Sequence, residues 1–351
     1  MRKPVTMRTL AKELGLSLSA VSKALNDYPD IGLETKALVL EKAAELGYTP
    51  NNLARSLARK TSNFLGVVLR DVSSVYGEMF KSMSEVARRD GLHLMLYDTD
   101  NDPEVEKWCI RNLMDSMALG IVVTPVGEDV SYIEEMTRGR VPVVFLGGKA
   151  TDPSVNYVCS DSFVGTEMAV RHLISLGHER IAMICDHKKS ASRSAKIAAY
   201  EGLMAEIGQR PLIFYGSGEE KDIMASGYEQ ARRMIASGEE VSAVFAVKDK
   251  MAIGVIQALR EAGVRVPEQM SVVGYDGIDA AALPMVGLTS VTQPRMEMAE
   301  AVIDILRRHA ENPDLPPEHV RVTPKLCVRT SSGAAAKAFD GHMPQKELVK
   351  L

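Results

Sequence analysis

Two groups of residues in this sequence have the types and spacing to do chemistry. The first lies near the start, where Leu18, Ser19 and Lys23 follow Ser17 in one short stretch. Small polar and basic side chains on one helix can read base edges in the major groove. Ser22 beside them and Thr9 upstream can hold phosphate oxygens, which position a protein without specifying a sequence. The second group is scattered along the chain. Tyr76, then Ser190, Ser192, Arg193 and Lys196, then Lys248 and Asp249, then Asp276 each follow an apolar run. Ligands of open α/β sheets sit at the carboxyl ends of strands, so residues in such places are candidates for binding. A Tyr there can stack on a ring, and a carboxylate can accept two sugar hydroxyls. The lysines admit an acidic or phosphorylated ligand. The ordinary alternative for each is a helix cap or a surface ion pair.

Motifs for catalysis are weak by comparison. Gly216-Ser-Gly218 lacks the third glycine of a dinucleotide loop and reads as an ordinary loop. No Walker loop, His-Glu-x-x-His or Gly-x-Ser-x-Gly occurs, so no enzymatic activity, cofactor or metal is expected. Cys109, Cys159, Cys185 and Cys327 form no Cys-x-x-Cys pair and read as reduced, mostly buried thiols.

These residues must be held by elements the sequence also marks. The 351 residues predict two to three domains. Residues 1–62 carry ten Lys/Arg against six Asp/Glu, and the remainder 32 against 40. A basic head on an acidic body suits a polyanion at the head. No apolar run is long enough to span a bilayer, and no secretory signal opens the chain, so the expected location is the cytoplasm.

In the head, Thr6 caps a helix with Met7, Leu10, Ala11 and Leu14 at helical spacing, and Gly15 ends it. Ser17 caps a second helix with Leu18, Val21 and Leu25 on one side. Two short helices around a glycine turn describe a helix-turn-helix. A third helix from about Leu33 to Leu46 offers Ala37, Leu38, Leu40, Ala44 and Leu46 as apolar positions, with Gly47 at C′. Asn51–Lys60 is a further helical stretch, too short to hold alone in water.

From Phe64 strands and helices alternate, which predicts parallel sheets covered on both faces. The expected strands are Leu65–Leu69, Leu92–Tyr97, Ile121–Thr124, Val141–Leu146, Ile181–Cys185, Ala243–Val247 and Ser271–Tyr275. The expected division is a helix-turn-helix over 1–50, a hinge over 51–62 and a core of two doubly wound subdomains over 63–330. The first crossing lies near 156–161, and 331–351 is a flexible tail.

The run Val5-Thr-Met-Arg-Thr-Leu-Ala-Lys-Glu-Leu-Gly-Leu-Ser-Leu-Ser-Ala-Val-Ser-Lys-Ala-Leu-Asn26 resembles the opening of the lac repressor/galactose repressor family of bacterial transcription regulators. Leu46-Gly-Tyr-Thr-Pro-Asn51 and Ala54-Arg55-x-Leu57 continue the likeness. So do Ser175-Leu-Gly-His-Glu-Arg-Ile181, Asp249-Lys-Met-Ala-Ile-Gly254, Ser271-Val-Val-Gly-Tyr-Asp276 and Gln293-Pro294.

The resemblance implies an α/β fold: an all-α head, then a periplasmic-binding-protein-type pair of parallel-sheet subdomains. It implies a homodimer on double-stranded, pseudopalindromic operator DNA. Contacts to that DNA would come from Thr6, Thr9, Ser17, Leu18, Ser19, Ser22, Lys23, Asn26, Tyr48, Asn51, Ala54, Arg55 and Leu57. Leu57 holds the place of a wedge that enters the minor groove. Lys23 stands where most members carry Arg, which leaves a point charge instead of a bidentate fork for guanine. The resemblance also implies a small-molecule effector, by default a sugar or sugar derivative. Lys196 replaces an Arg that clamps effector in many members, Lys248 stands where Asn is often found, and Asp161 matches an Asp near the crossing. A nucleobase or an acidic corepressor is the alternative. For a nucleobase, Gly77 and Asp222 stand where aromatic stacking would be wanted.

Overall fold

The computed structural model describes residues 5–26, 28–48, 62–73, 75–127, 129–147, 154–186, 190–216 and 222–335. The chain divides into two compact units, Met1–Ser62 and Asn63–Leu351. The expected hinge residues Asn51, Ala54, Arg55 and Leu57 lie outside the described residues.

The first unit contains α1 (Met7–Leu14), α2 (Leu18–Leu25) and α3 (Leu33–Glu45). Thr6 caps α1, and its hydroxyl meets that of Thr9 at 3.1 Å. Gly15 ends α1 at φ 65°, a left-handed conformation that costs glycine little. Leu16 then donates back to Ala11 O, and Ser17 Oγ accepts from Ala20 N to open α2. Leu10, Val21 and Val39 are fully buried, with Ala11, Ala24 and Ala43 around them. The expectation for α3 needs correction. Val39 and Ala43 face the core, whereas Leu33, Leu38 and Leu40 are exposed. Several apolar residues crowd α3, and periodicity alone chose the wrong stripe.

The second unit holds two six-stranded sheets. The first has the order β11-β5-β4-β3-β1-β2: β1 (Phe64–Leu69), β2 (His93–Asp98), β3 (Gly120–Val123), β4 (Val143–Leu146), β5 (Asn156–Ser160) and β11 (His319–Val322). The second has the order β12-β10-β9-β8-β6-β7: β6 (Ile181–Cys185), β7 (Leu212–Tyr215), β8 (Ala243–Ala246), β9 (Ser271–Asp276), β10 (Thr289–Thr292) and β12 (Lys325–Cys327). All pairs are parallel except β10 with β12. Parallel strands need crossovers, and helices supply them. These are α4 (Val75–Arg89), α5 (Pro103–Asp115), α6 (Ser131–Thr137), α7 (Ser162–Ser175), α8 (Ala191–Glu206), α9 (Ile223–Ala236) and α10 (Asp249–Glu261). A last helix, α11 (Arg295–Glu311), packs with α4 beside the first sheet.

The chain changes sheets three times: after β5 at Asp161, between β10 and α11, and between β11 and β12. Separate apolar cores fill the two halves, with Val244, Phe245 and Val273 central to the second and Val67, Val122 and Val302 to the first. Two further expectations are corrected. β5, β7, β10, β11 and β12 fall outside the expected strands; β10 reads Thr-Ser-Val-Thr, yet Thr289 and Ser290 are fully buried with their hydroxyls bonded. The chain after 330 is also no loose tail over its described part. Ser331 is buried and exchanges backbone bonds with Val272 and Gly287, while Gly333 O meets Nε2 of the buried His178.

Candidate functional site

In the first unit α2 buries Val21 and Ala24 and turns Ser17, Leu18 and Ser19 outward. Leu18 is 46% exposed and so open to contact with another surface. Ser22 and Lys23 lie half-buried one turn further on. The Lys23 ammonium pairs with Asp30, which holds the Asp30 carboxyl below its ordinary value. Asn26 ends α2 and donates its amide to Ser22 O at 2.7 Å. Tyr48 packs half-buried against the small core.

In the second unit the strand ends gather charged groups. On the first sheet Arg70 follows β1. Its Nη2 donates to the Tyr76 hydroxyl at 2.8 Å, and its guanidinium lies 5.4 Å from the ring centroid. The Tyr76 phenol, with Glu106 and Asp186 behind it, raises the Arg70 pKa. Glu106 is fully buried, bound by the Tyr132 hydroxyl and by Val126 N at 2.9 Å, and burial pushes its carboxyl up.

On the second sheet Asp186 follows β6 and accepts three cationic hydrogen bonds. Arg193 Nη1 reaches its carbonyl at 2.5 Å and Oδ1 at 3.0 Å, and Lys248 Nζ reaches Oδ2 at 2.7 Å. Burial works to raise this carboxyl, but Lys248, Arg193 and Lys196 hold it below its ordinary value. Lys196 Nζ donates to Val247 O at 2.8 Å and stands 3.3 Å from the Tyr275 ring centroid. Burial pushes Lys196 down to about 8, with Asp276 working the other way. Asp276 ends β9 at φ 116°, a region that side chains rarely adopt. Gln293 Nε2 holds its Oδ1 at 2.8 Å, and burial raises its pKa against Lys196 and Lys248.

Other expected residues hold the wall. Asp249 is fully buried, with Oδ1 taken by Ser290 at 2.5 Å and Oδ2 by Ile278 N at 2.8 Å, so both its oxygens are spent inside the wall. A side chain at Gly274 would strike Asp249 Oδ1, which is why the backbone approaches so closely there. Ser190 caps α8, Asp161 caps α7 through Phe163 N and Val164 N, and Ser192 bonds Ser162 at 2.6 Å. Sequence reasoning brought Tyr76, Arg193, Lys196, Lys248 and Asp276 to strand ends but missed Arg70, Asp186 and Gln293. The same strand-end rule would have found Arg70 and Asp186, each directly after its strand.

Contacts also cross between the halves of this unit. Lys250 Nζ donates to Ser73 O at 2.6 Å, and Asp279 N to Glu78 Oε1 at 2.8 Å. Arg295 Nη1 closes the group on Glu78 at 2.8 Å. Each of these polar bonds contributes about 0.5–3 kcal/mol net, the charged ones most.

A family model of a periplasmic binding protein-like domain matches residues 170–332. The chain is 32% identical over 305 residues to HTH-type transcriptional regulator AscG of Escherichia coli, covering 85% of this chain and 90% of that protein. It is 29% identical over 334 residues to HTH-type transcriptional repressor PurR of Haemophilus influenzae, covering 93% and 98%. Among solved structures it resembles the lac repressor dimer bound to operator and the anti-inducer ONPF. That match has a TM-score of 0.84 and 25% identity, over 95% of this chain and all of that one.

Proposed function

Because the chain belongs to the lac repressor/galactose repressor family of transcription regulators, we propose that it is a homodimeric repressor whose hold on operator DNA is set by a small polyhydroxy ligand. It acts in the cytoplasm, where its DNA is. One observation carries the reading: α2 is capped by Ser17 and turns Leu18 and Ser19 outward, with Ser22 and Lys23 on the next turn. That is the arrangement with which a recognition helix presents its early residues to base edges. Twofold symmetry of the dimer asks for two half-sites.

The ligand sits between the strand ends of the second unit. Arg70 and Tyr76 meet it from one half, and Lys196, Lys248 and Asp276 from the other. Asp276 accepts hydroxyls, Tyr76 covers an apolar ring face, and the cations donate. A ligand that binds the closed arrangement better than the open one shifts the balance by that difference and no more.

Selection of the full chain against random duplexes at two salt concentrations tests this reading. A pseudopalindrome enriched at both supports it. Sequence-blind binding that collapses with salt overturns it, since phosphate contact alone behaves that way.

A further inference from the structure

We propose that the ligand of the cleft carries an anionic group, a carboxylate or a phosphate, on its polyhydroxy frame. This deepens the reading above and rests on it.

Four cations share the influence of Asp186: Arg193 and Lys248 bond it, Lys196 lowers its pKa, and it raises that of Arg70 from the first half. The carboxylates facing them are Asp186 and Asp276. Asp249 is spent inside the wall on Ser290 and Ile278, and Glu106 behind Arg70 is spent on Tyr132 and Val126. Glu78 is paired with a further cation, Arg295, which also bonds Gly277 O at 3.0 Å. Among the described residues the balance at these strand ends is therefore positive, and a concave surface of one sign concentrates its field on what enters.

One carboxylate of the chain already sits among these cations. Asp186 lies between Arg193 and Lys248, both bonded to its carboxylate, so the chain supplies its own anion where two cations meet. Lys196 is the incomplete member. It is 6% exposed, and its ammonium has three donors. One is used on Val247 O, and the ring of Tyr275 takes the charge on a face. Among the described residues no carboxylate lies within ion-pair distance of it. Asp276 and Asp186 act on it only from beyond contact distance, and a buried charge with no counter-ion in contact is costly. Burial accordingly pushes Lys196 down to about 8. A neutral sugar would satisfy the two remaining donors but not the charge, whereas an anion does both.

The test uses the full chain and matched probes: D-glucose and D-galactose, their uronic and aldonic acids, and glucose 6-phosphate. Thermal shift ranks them and calorimetry gives affinities. The expected result is that at least one acid binds about tenfold or more tightly than its neutral parent, as charge-assisted bonds imply. Lys248→Gln then reduces that preference to about threefold or less. Arg70→Gln serves the same purpose if the first variant folds poorly. Carboxylate and phosphate arms separate the two chemistries. A neutral parent binding as tightly as its acid, or no acid binding at all, overturns the proposal. A chain that selects an operator but prefers neutral sugars keeps the regulator reading and loses this one. A chain that binds an acid but selects no operator does the reverse.

Discussion

The head carries its contact groups on one eight-residue helix, α2. The cleft collects its groups from the ends of β1, β6, β8 and β9, which are far apart in the chain. A helix surface needs only its own cap and a few buried partners. A cleft needs two sheets in register and three crossings before any pair of its residues meets. The head should therefore fail as a whole when its small core is damaged. The cleft should fail residue by residue, since each group has its own partner.

The largest expected effect is in the head. Leu10→Ala empties a fully buried site beside Val21 and Val39. Such truncations cost about 2–5 kcal/mol, most of what a small unit has. Operator affinity should fall by about a hundredfold or more. The calorimetric transition of the second unit should stay where it was; a shared fall would mean that the two units do not fold separately.

Asp249→Ala comes next. It leaves Ile278 N–H and the Ser290 hydroxyl buried without their acceptor, which costs about 2 kcal/mol. Chemical denaturation should show that loss in the second unit. Ligand affinity should fall with it, because the same bonds set the turn that carries Asp276. Full affinity in this variant would remove the positioning role.

A smaller effect depends on pH. Burial, with Asp276 adding to it, pushes the Asp249 carboxyl up to about 7. In the unfolded chain it ionises near the ordinary carboxylate value. Between those values the folded protein keeps a proton that the unfolded chain releases. The contribution is full below the unfolded value and is lost as pH rises through about 7. The denaturation midpoint of the second unit should fall between about pH 4 and about pH 7, and fall less in Asp249→Ala.

The smallest effect returns to the head. Lys23→Arg replaces a point charge with a fork that matches guanine. Head stability should move by less than about 1 kcal/mol, since the Lys23–Asp30 pair is exposed. Duplex selection should move toward guanine at one position per half-site. An unchanged preference would place Lys23 on a phosphate.

Local order was legible in the sequence where neighbours in the chain are neighbours in space. The caps Thr6 and Ser17, the turn at Gly15 and the long apolar strands follow from local patterns. β10 escaped because its buried residues are Thr and Ser, whose hydroxyls are satisfied by Arg329 O, Ser332 and Asp249. α3 misled because it has more leucines than its one buried stripe can use. In the cleft the strand-end rule found positions but not roles. Asp249 and Asp276 both follow strands of the second sheet, yet one is a strut and the other faces the cleft.

What the sequence determined by itself is what one helix or one strand can decide: a capped recognition helix, two alternating α/β halves, and the residue types at the strand ends. Tertiary structure alone decided which of those side chains keep a free oxygen or nitrogen. Asp186 is shared by Arg193 and Lys248, and Lys196 stands against Tyr275, through pairings that cross tens of residues. Whether a buried charge is a strut or a binding group depends on the partners that folding brings to it, and the chain order of those partners carries no trace of the distance between them.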